Sequence, residues 1–215
     1  MEAVKLKQLG AATVAYRDGF EFLLDNPNFP KALDHVKALK PVTVPLFLTH
    51  GGKAHCLCVR RTRRNHFAFL TKAEQAGVNV EKAVANVEDP ETKRFYLVTL
   101  IPQAHSLTGF LSSNASLERK YNALHSLALQ LARLNKAGLR HGDVVSCNVS
   151  IGKDGKGDEV ILTNPELDQE VVEHLHGDLD QMREMLLHME RELEYEPSQL
   201  WERVRKENYF KNVKA

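Results

Sequence analysis

Apolar residues between Ser116 and Gly138 recur at intervals of three and four: Leu117, Tyr121, Leu124, Leu127, Leu131 and Leu134. That spacing places them on one stripe of an α-helix, with Ser116 positioned to cap its first turn and Gly138 to end it. The same period returns at Leu179, Met182, Leu186, Met189 and Leu193, which predicts a second amphipathic helix, and Leu200, Trp201 and Val204 suggest a short last one. The first hundred residues read differently. Residues 4–6, 20–24, 45–49, 55–60 and 95–101 are short runs of apolar, β-branched and aromatic residues, separated by Asp25-Asn26-Pro27-Asn28, Gly51-Gly52 and Glu88-Asp89-Pro90. Such runs predict strands joined by turns, around a single helix over 65–77. Between the two long helices, residues 149–163 read as a hairpin turning at Asp154-Gly155-Lys156-Gly157. No internal repeat or low-complexity linker interrupts this order.

Composition narrows the class. The chain has 215 residues, 43% of them hydrophobic and 27% charged, which is enough for one domain or for two small lobes around a cleft. With 29 basic and 28 acidic residues the net charge is +1, so no global field points to nucleic acid, an anionic membrane or a polyanionic substrate. Arg60, Arg61, Arg63 and Arg64 are locally basic; a solvated turn is the first reading, an anion or acidic-partner site the next, and nucleic acid the last, since few aromatics are interleaved. The first residues lack a signal-peptide core, and no segment approaches 18 uncharged apolar residues, so no transmembrane segment is expected. Three cysteines make no disulfide framework and suit a reducing compartment, hence a cytoplasmic location or that of an injected effector without a classical signal peptide. Cys56 and Cys58, two apart on a predicted strand, share a face and read as core cysteines; with His50 and His55 they make only a weak case for metal, as do His174 and His176.

The chemistry concentrates in Leu139-Arg140-His141-Gly142-Asp143-Val144-Val145-Ser146-Cys147-Asn148, followed by the predicted hairpin. A His-x-Asp, an Asn five residues after the Asp, and an apolar hairpin beyond resemble the catalytic loop of a protein-kinase-like phosphotransferase. Residues 95–101 and Ser106-Leu107-Thr108-Gly109-Phe110-Leu111 are similar to that superfamily's last N-lobe strand, hinge and first C-lobe helix. Taken with Glu74-Gln75-Ala76-Gly77-Val78-Asn79-Val80, the pattern is most similar to small bacterial members, the lipopolysaccharide-kinase-like and InaA-like group. The resemblance implies an α+β, protein-kinase-like two-lobed fold: a small β-rich N-lobe over 1–102 and a minimal helical C-lobe over 103–215, together one kinase-like domain.

It also implies roles. Asp143 would be the catalytic base, Asn148 a metal ligand, His141 a structural residue of the loop, and Asp178 the carboxylate that starts a buried helix and hydrogen bonds the loop backbone. The cofactors implied are ATP and Mg²⁺. Four positions depart from the pattern. Asn164 stands where the principal metal-binding Asp is expected, with Pro165 and Glu166 after it; a neutral amide keeps an oxygen but removes charge, which Glu166 or Asp168 would have to restore. Leu9-Gly10-Ala11-Ala12-Thr13 holds one glycine, Gly10, of a phosphate-covering loop, and a plain strand-turn-strand explains it equally well. Arg60 stands for the phosphate-anchoring Lys, which exchanges a compact ammonium for a planar fork; Lys53 and Arg61 are the alternatives. The helix position expected to pair with it falls near His66, with no acid there, and Glu74 comes about two turns too late.

These departures favour a degenerate kinase-like protein, a pseudokinase or scaffold acting on a protein partner or holding a nucleotide as a structural ligand. The alternative is an active, divergent ATP-dependent phosphotransferase working on a hydroxyl of a sugar, lipid, small molecule or protein. Val145, where protein kinases carry Lys, and the short stretch from Asn164 to Asp178 turn that alternative away from peptide substrates. An unrelated α+β binding protein is the third reading.

Overall fold

The computed structural model describes residues 4–38, 43–62, 65–153, 158–164 and 177–193, with the side chains of 179 and 188–193 excepted. The chain divides into two compact units, one of residues 1–71 with 81–101, the other of 72–80 with 102–215.

The first unit is built on an antiparallel sheet of six strands: β1 (Val4–Leu9), β2 (Ala12–Arg17), β3 (Thr43–His50), β4 (Lys53–Thr62), β5 (Ala83–Asp89) and β6 (Arg94–Leu100), in the order β1-β2-β5-β6-β4-β3. Alternation along each strand makes the two faces chemically different. Val14, Tyr16, Leu46, Leu48, Leu57, Val59, Ala85, Val87, Tyr96 and Val98 share one face and join Leu23, Phe29, Leu33 and Val36 in the unit's core. The other face carries Arg17, Cys58, Arg60, Thr62, Asn86 and Thr99, all buried and all but one polar. At the β3 end, the register Thr43↔Arg60, Pro45↔Cys58 and Phe47↔Cys56 adds exposed Pro45 and Phe47 to that second face.

Three helices accompany the sheet, not one. Residues 20–24, expected as a strand, form a turn and the short helix α1 (Phe22–Asp25), and α2 (Asn28–Ala38) follows. Phe29, Ala32, Leu33 and Val36 hold a helical period that the Asn-Pro-Asn-Phe-Pro start disguises. Pro30 falls in the first turn, where its missing N–H costs nothing. The predicted helix over 65–77 is α3 (His66–Gln75), started by Asn65, whose Oδ1 accepts from Phe67 N at 3.1 Å.

The second unit contains β7 (Ala104–Ser106), α4 (Leu107–Leu111), α5 (Leu117–Lys136), a 3₁₀ turn at Ser146–Asn148, β8 (Val149–Lys153), β9 (Asp158–Leu162) and α6 (Gly177–Leu193). Ser116 caps α5 by accepting from Arg119 N at 3.3 Å, and Gly138, at φ +69°, lets Leu139 N turn back to Leu134 O at 3.0 Å. Leu124, Leu127, Leu131 and Leu134 are fully buried, whereas Leu117 at the helix start is exposed. Met182, Met185 and Leu186 bury the inner face of α6. Segment 77–80 is pinned inside this unit: Asn79 N donates to Gln130 Oε1, Leu162 N donates to Asn79 O, and Val80 pairs with Leu162 in a parallel bridge. The last predicted helix and the turn at 154–157 lie outside the described residues.

Candidate functional site

The loop between α5 and β8 is organised by one carboxylate. Asp178, in the first turn of α6 and with no solvent exposure, accepts from His141 N (2.8 Å) and Gly142 N (3.0 Å), while the Arg140 guanidinium lies 3.5 Å away. Both backbone donors reach it because Gly142 sits at φ +81°, a conformation that glycine adopts without strain. Gly177 makes room on the other side: a Cβ there would fall 2.4 Å from Arg140 Nη2. Gln181, one turn further along α6, accepts from Val144 N and donates to Gly142 O, so the helix reads the loop backbone at four points. His141 is almost wholly buried, with Nε2 3.0 Å from Thr163 O and Nδ1 accepting from Asp143 N at 3.3 Å.

Three side chains converge beyond this frame. Asn148 Nδ2 donates to both Asp143 O (3.1 Å) and Asp143 Oδ2 (2.6 Å). Two acceptors on one atom fix which end of the amide is nitrogen. Asn148 Oδ1 therefore faces the other way, where it accepts from Asn164 Nδ2 at 3.3 Å. Asn164 is held by Thr163 N donating to Asn148 O, and by its own left-handed backbone at φ +50°, which Asn tolerates better than most residues. The structure thus brings Asp143, Asn148 and Asn164 together; Glu166 and Asp168 lie outside the described residues.

Arg60 has a partner that the sequence reading missed. From β4 it makes a two-pronged ion pair with Glu81, Nη1 to Oε2 at 2.8 Å and Nη2 to Oε1, with both residues buried. Glu81 is not on a helix; it lies two residues before β5 and six residues beyond the end of α3. The only signal in the sequence was an acid just before the strand, after an uncharged run over 76–80. Gly10 is not brought to Arg60. It turns β1 into β2, and β5 and β6 separate that hairpin from β4; the strand beside β4 is β3, whose lead-in at 39–42 lies outside the described residues. Burial pushes the Cys58 thiol up, so it stays protonated, and the described residues contain no cluster of three His, Cys, Asp or Glu suited to a metal.

Residues 55–164 match the model of the lipopolysaccharide kinase (Kdo/WaaP) family, a span of more than half the chain. The chain belongs to that family. The Kdo/WaaP match begins on β4 and ends on Asn164, so it includes Arg60, Glu81, Asp143 and Asn148 and leaves out Gly10 and Asp178. The α+β order of a β-rich first part and a helical second part is that of a protein-kinase-like fold. Solved structures similar to this Kdo/WaaP member include the PknI kinase domain of Mycobacterium tuberculosis (12% identity, 58% of this chain, 54% of that chain, TM-score 0.39). Another is the maize SIRK1 kinase domain bound to AMP-PNP (16% identity, 72% of this chain, 58% of that chain, TM-score 0.43). The chain thus spans little more than half the length of these kinase domains. No curated protein matches it.

Kinase chemistry implies Mg²⁺, and the described residues of the site offer that ion little charge. A hard divalent cation favours several oxygen ligands with carboxylate charge among them. Among the described residues Asp143, Asn148 and Asn164 supply one carboxylate and two neutral amides, the Asn148 oxygen accepts from the Asn164 amide, and Asp143 accepts from Asn148; Glu166 and Asp168 lie outside them.

Proposed function

We propose that this Kdo/WaaP family member is a kinase-like binding domain that transfers phosphate weakly or not at all. The observation that carries the reading is the hydrogen bond from Asn164 Nδ2 to Asn148 Oδ1, which turns one neutral amide onto the oxygen that the other would offer a metal. Phosphoryl transfer draws nearly all its acceleration from positioning and charge neutralisation, so a centre with one carboxylate where two are expected loses the second contribution. Under this reading the protein acts on a protein partner or holds ATP as a structural ligand, in the cytoplasm or a host cell. Among the described residues no helix is long and apolar enough to cross a membrane.

The test is thermal stability with ATP, with and without Mg²⁺ or Mn²⁺, for wild type and Asn164→Asp. A ligand that binds the folded state at a hundred times its Kd adds about 2.7 kcal/mol, a shift that melting curves resolve. The reading expects no metal-dependent rise in the wild type and a rise in Asn164→Asp; a metal-dependent rise in the wild type, with release of ADP, overturns it.

Two observations favour the second reading, an active divergent phosphotransferase with a hydroxyl-bearing acceptor such as a saccharide. Asp143 keeps a carboxylate fixed by Asn148, and Arg60 keeps an acidic partner. In that case Asp143→Asn abolishes transfer and leaves the melting temperature within a few degrees, and retained transfer removes Asp143 from the base role.

A further inference from the structure

The second unit holds a cavity of about 650 Å³, a size that suits a small organic molecule. The described residues that line it do not include Asp143, Asn148 or Asn164. β7 and α4 supply one wall through His105 and Phe110, and the connection from α4 to α5 supplies the rim at Asn114. That connection is stiff, because Ser113 Oγ donates to Phe110 O at 2.6 Å and accepts from Ala115 N at 3.3 Å. The charged end comes from α5 and the β8–β9 hairpin, which bring Arg119, Lys153 and Asp158 together.

These three groups are placed by backbone and side chain at once. Strand register sets Lys153 directly across from Asp158, and the Asp158 carboxylate accepts from Arg119 Nε and Nη2 at 2.9 and 2.7 Å. One anion therefore stands between two cations, and the described wall keeps a positive excess to which His105 can add. Arg119 is also fixed in orientation. Asp158 grips its Nε–Nη2 edge, and Cζ lies 5.8 Å from the centre of the Phe110 ring. The side chain is still 48% exposed, and Nη1 is the nitrogen that Asp158 leaves for a ligand. A guanidinium held in this way meets an oxyanion without first losing rotamer freedom. The site is also separate from the loop chemistry. Five residues of β8, about 17 Å of strand, carry the chain from Asn148 to Lys153.

We propose that this cavity binds a small organic anion, a carboxylate or phosphate monoester whose oxygens meet Arg119 Nη1 and Lys153 Nζ while its uncharged part lies along α4. The site goes beyond the kinase-like reading and stands whether or not Asp143 takes part in phosphate transfer.

The experiment is an ¹⁵N–¹H NMR titration of the full chain, free of nucleotide, with citrate, with glycerol 2-phosphate and with sodium chloride at matched ionic strength. Wild type is expected to show saturable shifts centred on the Asn114 and Gly152 amides with one or both organic anions and none with the salt; the stronger of the two assigns the oxyanion. Lys153→Glu is expected to abolish the shifts, since it reverses a charge at an exposed strand end. Should that variant not fold, Lys153→Ala makes the same comparison. Arg119→Lys, which keeps the charge but gives up the fork that Asp158 holds, is expected to weaken binding about tenfold or more. Shifts centred on residues 141–148 instead, shifts unchanged in Lys153→Glu, or no saturable shift with either anion overturns the proposal. A glutamate hexapeptide that saturates the same amides where both small anions fail overturns it too, and gives the cavity to an acidic protein segment.

Discussion

Asp178 touches no solvent, and its two oxygens satisfy two consecutive backbone N–H groups of the loop that carries Asp143. Asp178→Ala leaves both donors buried without partners at about 1–3 kcal/mol each, so urea unfolding is expected to show a loss of about 2–5 kcal/mol. A loss below 1 kcal/mol would mean that the loop holds its shape without α6. The thiols give a second expectation at this scale. Cys56 and Cys147 are exposed, whereas Cys58 is buried and its thiol is pushed up by that burial. Alkylation of the folded protein followed by peptide mass spectrometry is expected to label the first two and spare Cys58 until denaturant is added. Residue placements differed in how readable they were. His141, Asp143, Asn148 and Asp178 stand at fixed offsets within an ordered run of elements, so a linear string sufficed to single them out. Glu81 could not be found that way: its partnership with Arg60 exists only through strand pairing across 21 positions of chain.

At the scale of elements, period was a reliable guide where one pattern ran unbroken, as in α5 and α6. It failed where punctuation and pattern disagreed. The two prolines and two asparagines around Phe29 read as a turn, yet Phe29, Leu33 and Val36 lie one and two helical turns apart and are buried against the sheet. Phe29→Ala is accordingly expected to destabilise the first unit by about 3–5 kcal/mol in denaturant unfolding, the range for a large aromatic removed from a core. Strand order was equally out of reach, because nothing local told β2 to pair with β5 instead of β4. The tie between α5 and β9 makes a pH expectation. Arg119 hydrogen bonds Asp158 through Nε (2.9 Å) and Nη2 (2.7 Å), and this holds the Asp158 carboxyl below its ordinary value. A depressed folded-state pKa contributes stability that is complete above the unfolded value of about 3.9 and is lost as pH falls through the folded one. Stability of wild type and Arg119→Ala, measured from pH 6 down to about 2, is expected to converge at the acid end; parallel curves would remove the pair from the acid response.

For the whole molecule, the most telling property is the uneven treatment of charge. A net charge of +1 gives little mutual repulsion between copies, so each unit's surface must guard itself. The β1 strand is where that matters. It forms one margin of the six-stranded sheet, it is exposed along nearly its whole length, and Val4 and Leu6 are 48% and 72% exposed. An open strand with apolar side chains is a template for another chain's backbone. Lys5 and Lys7 alternate with those apolar residues and are held across the neighbouring turn by Asp18, Glu21 and Asp25. The pairs thereby fasten a cationic fringe along the margin where a second copy would have to dock. Replacing both lysines with alanine is expected to leave the melting temperature of dilute protein nearly unchanged yet hasten turbidity in concentrated samples, so that a hairpin at the margin of the sheet sets how long the protein keeps in solution.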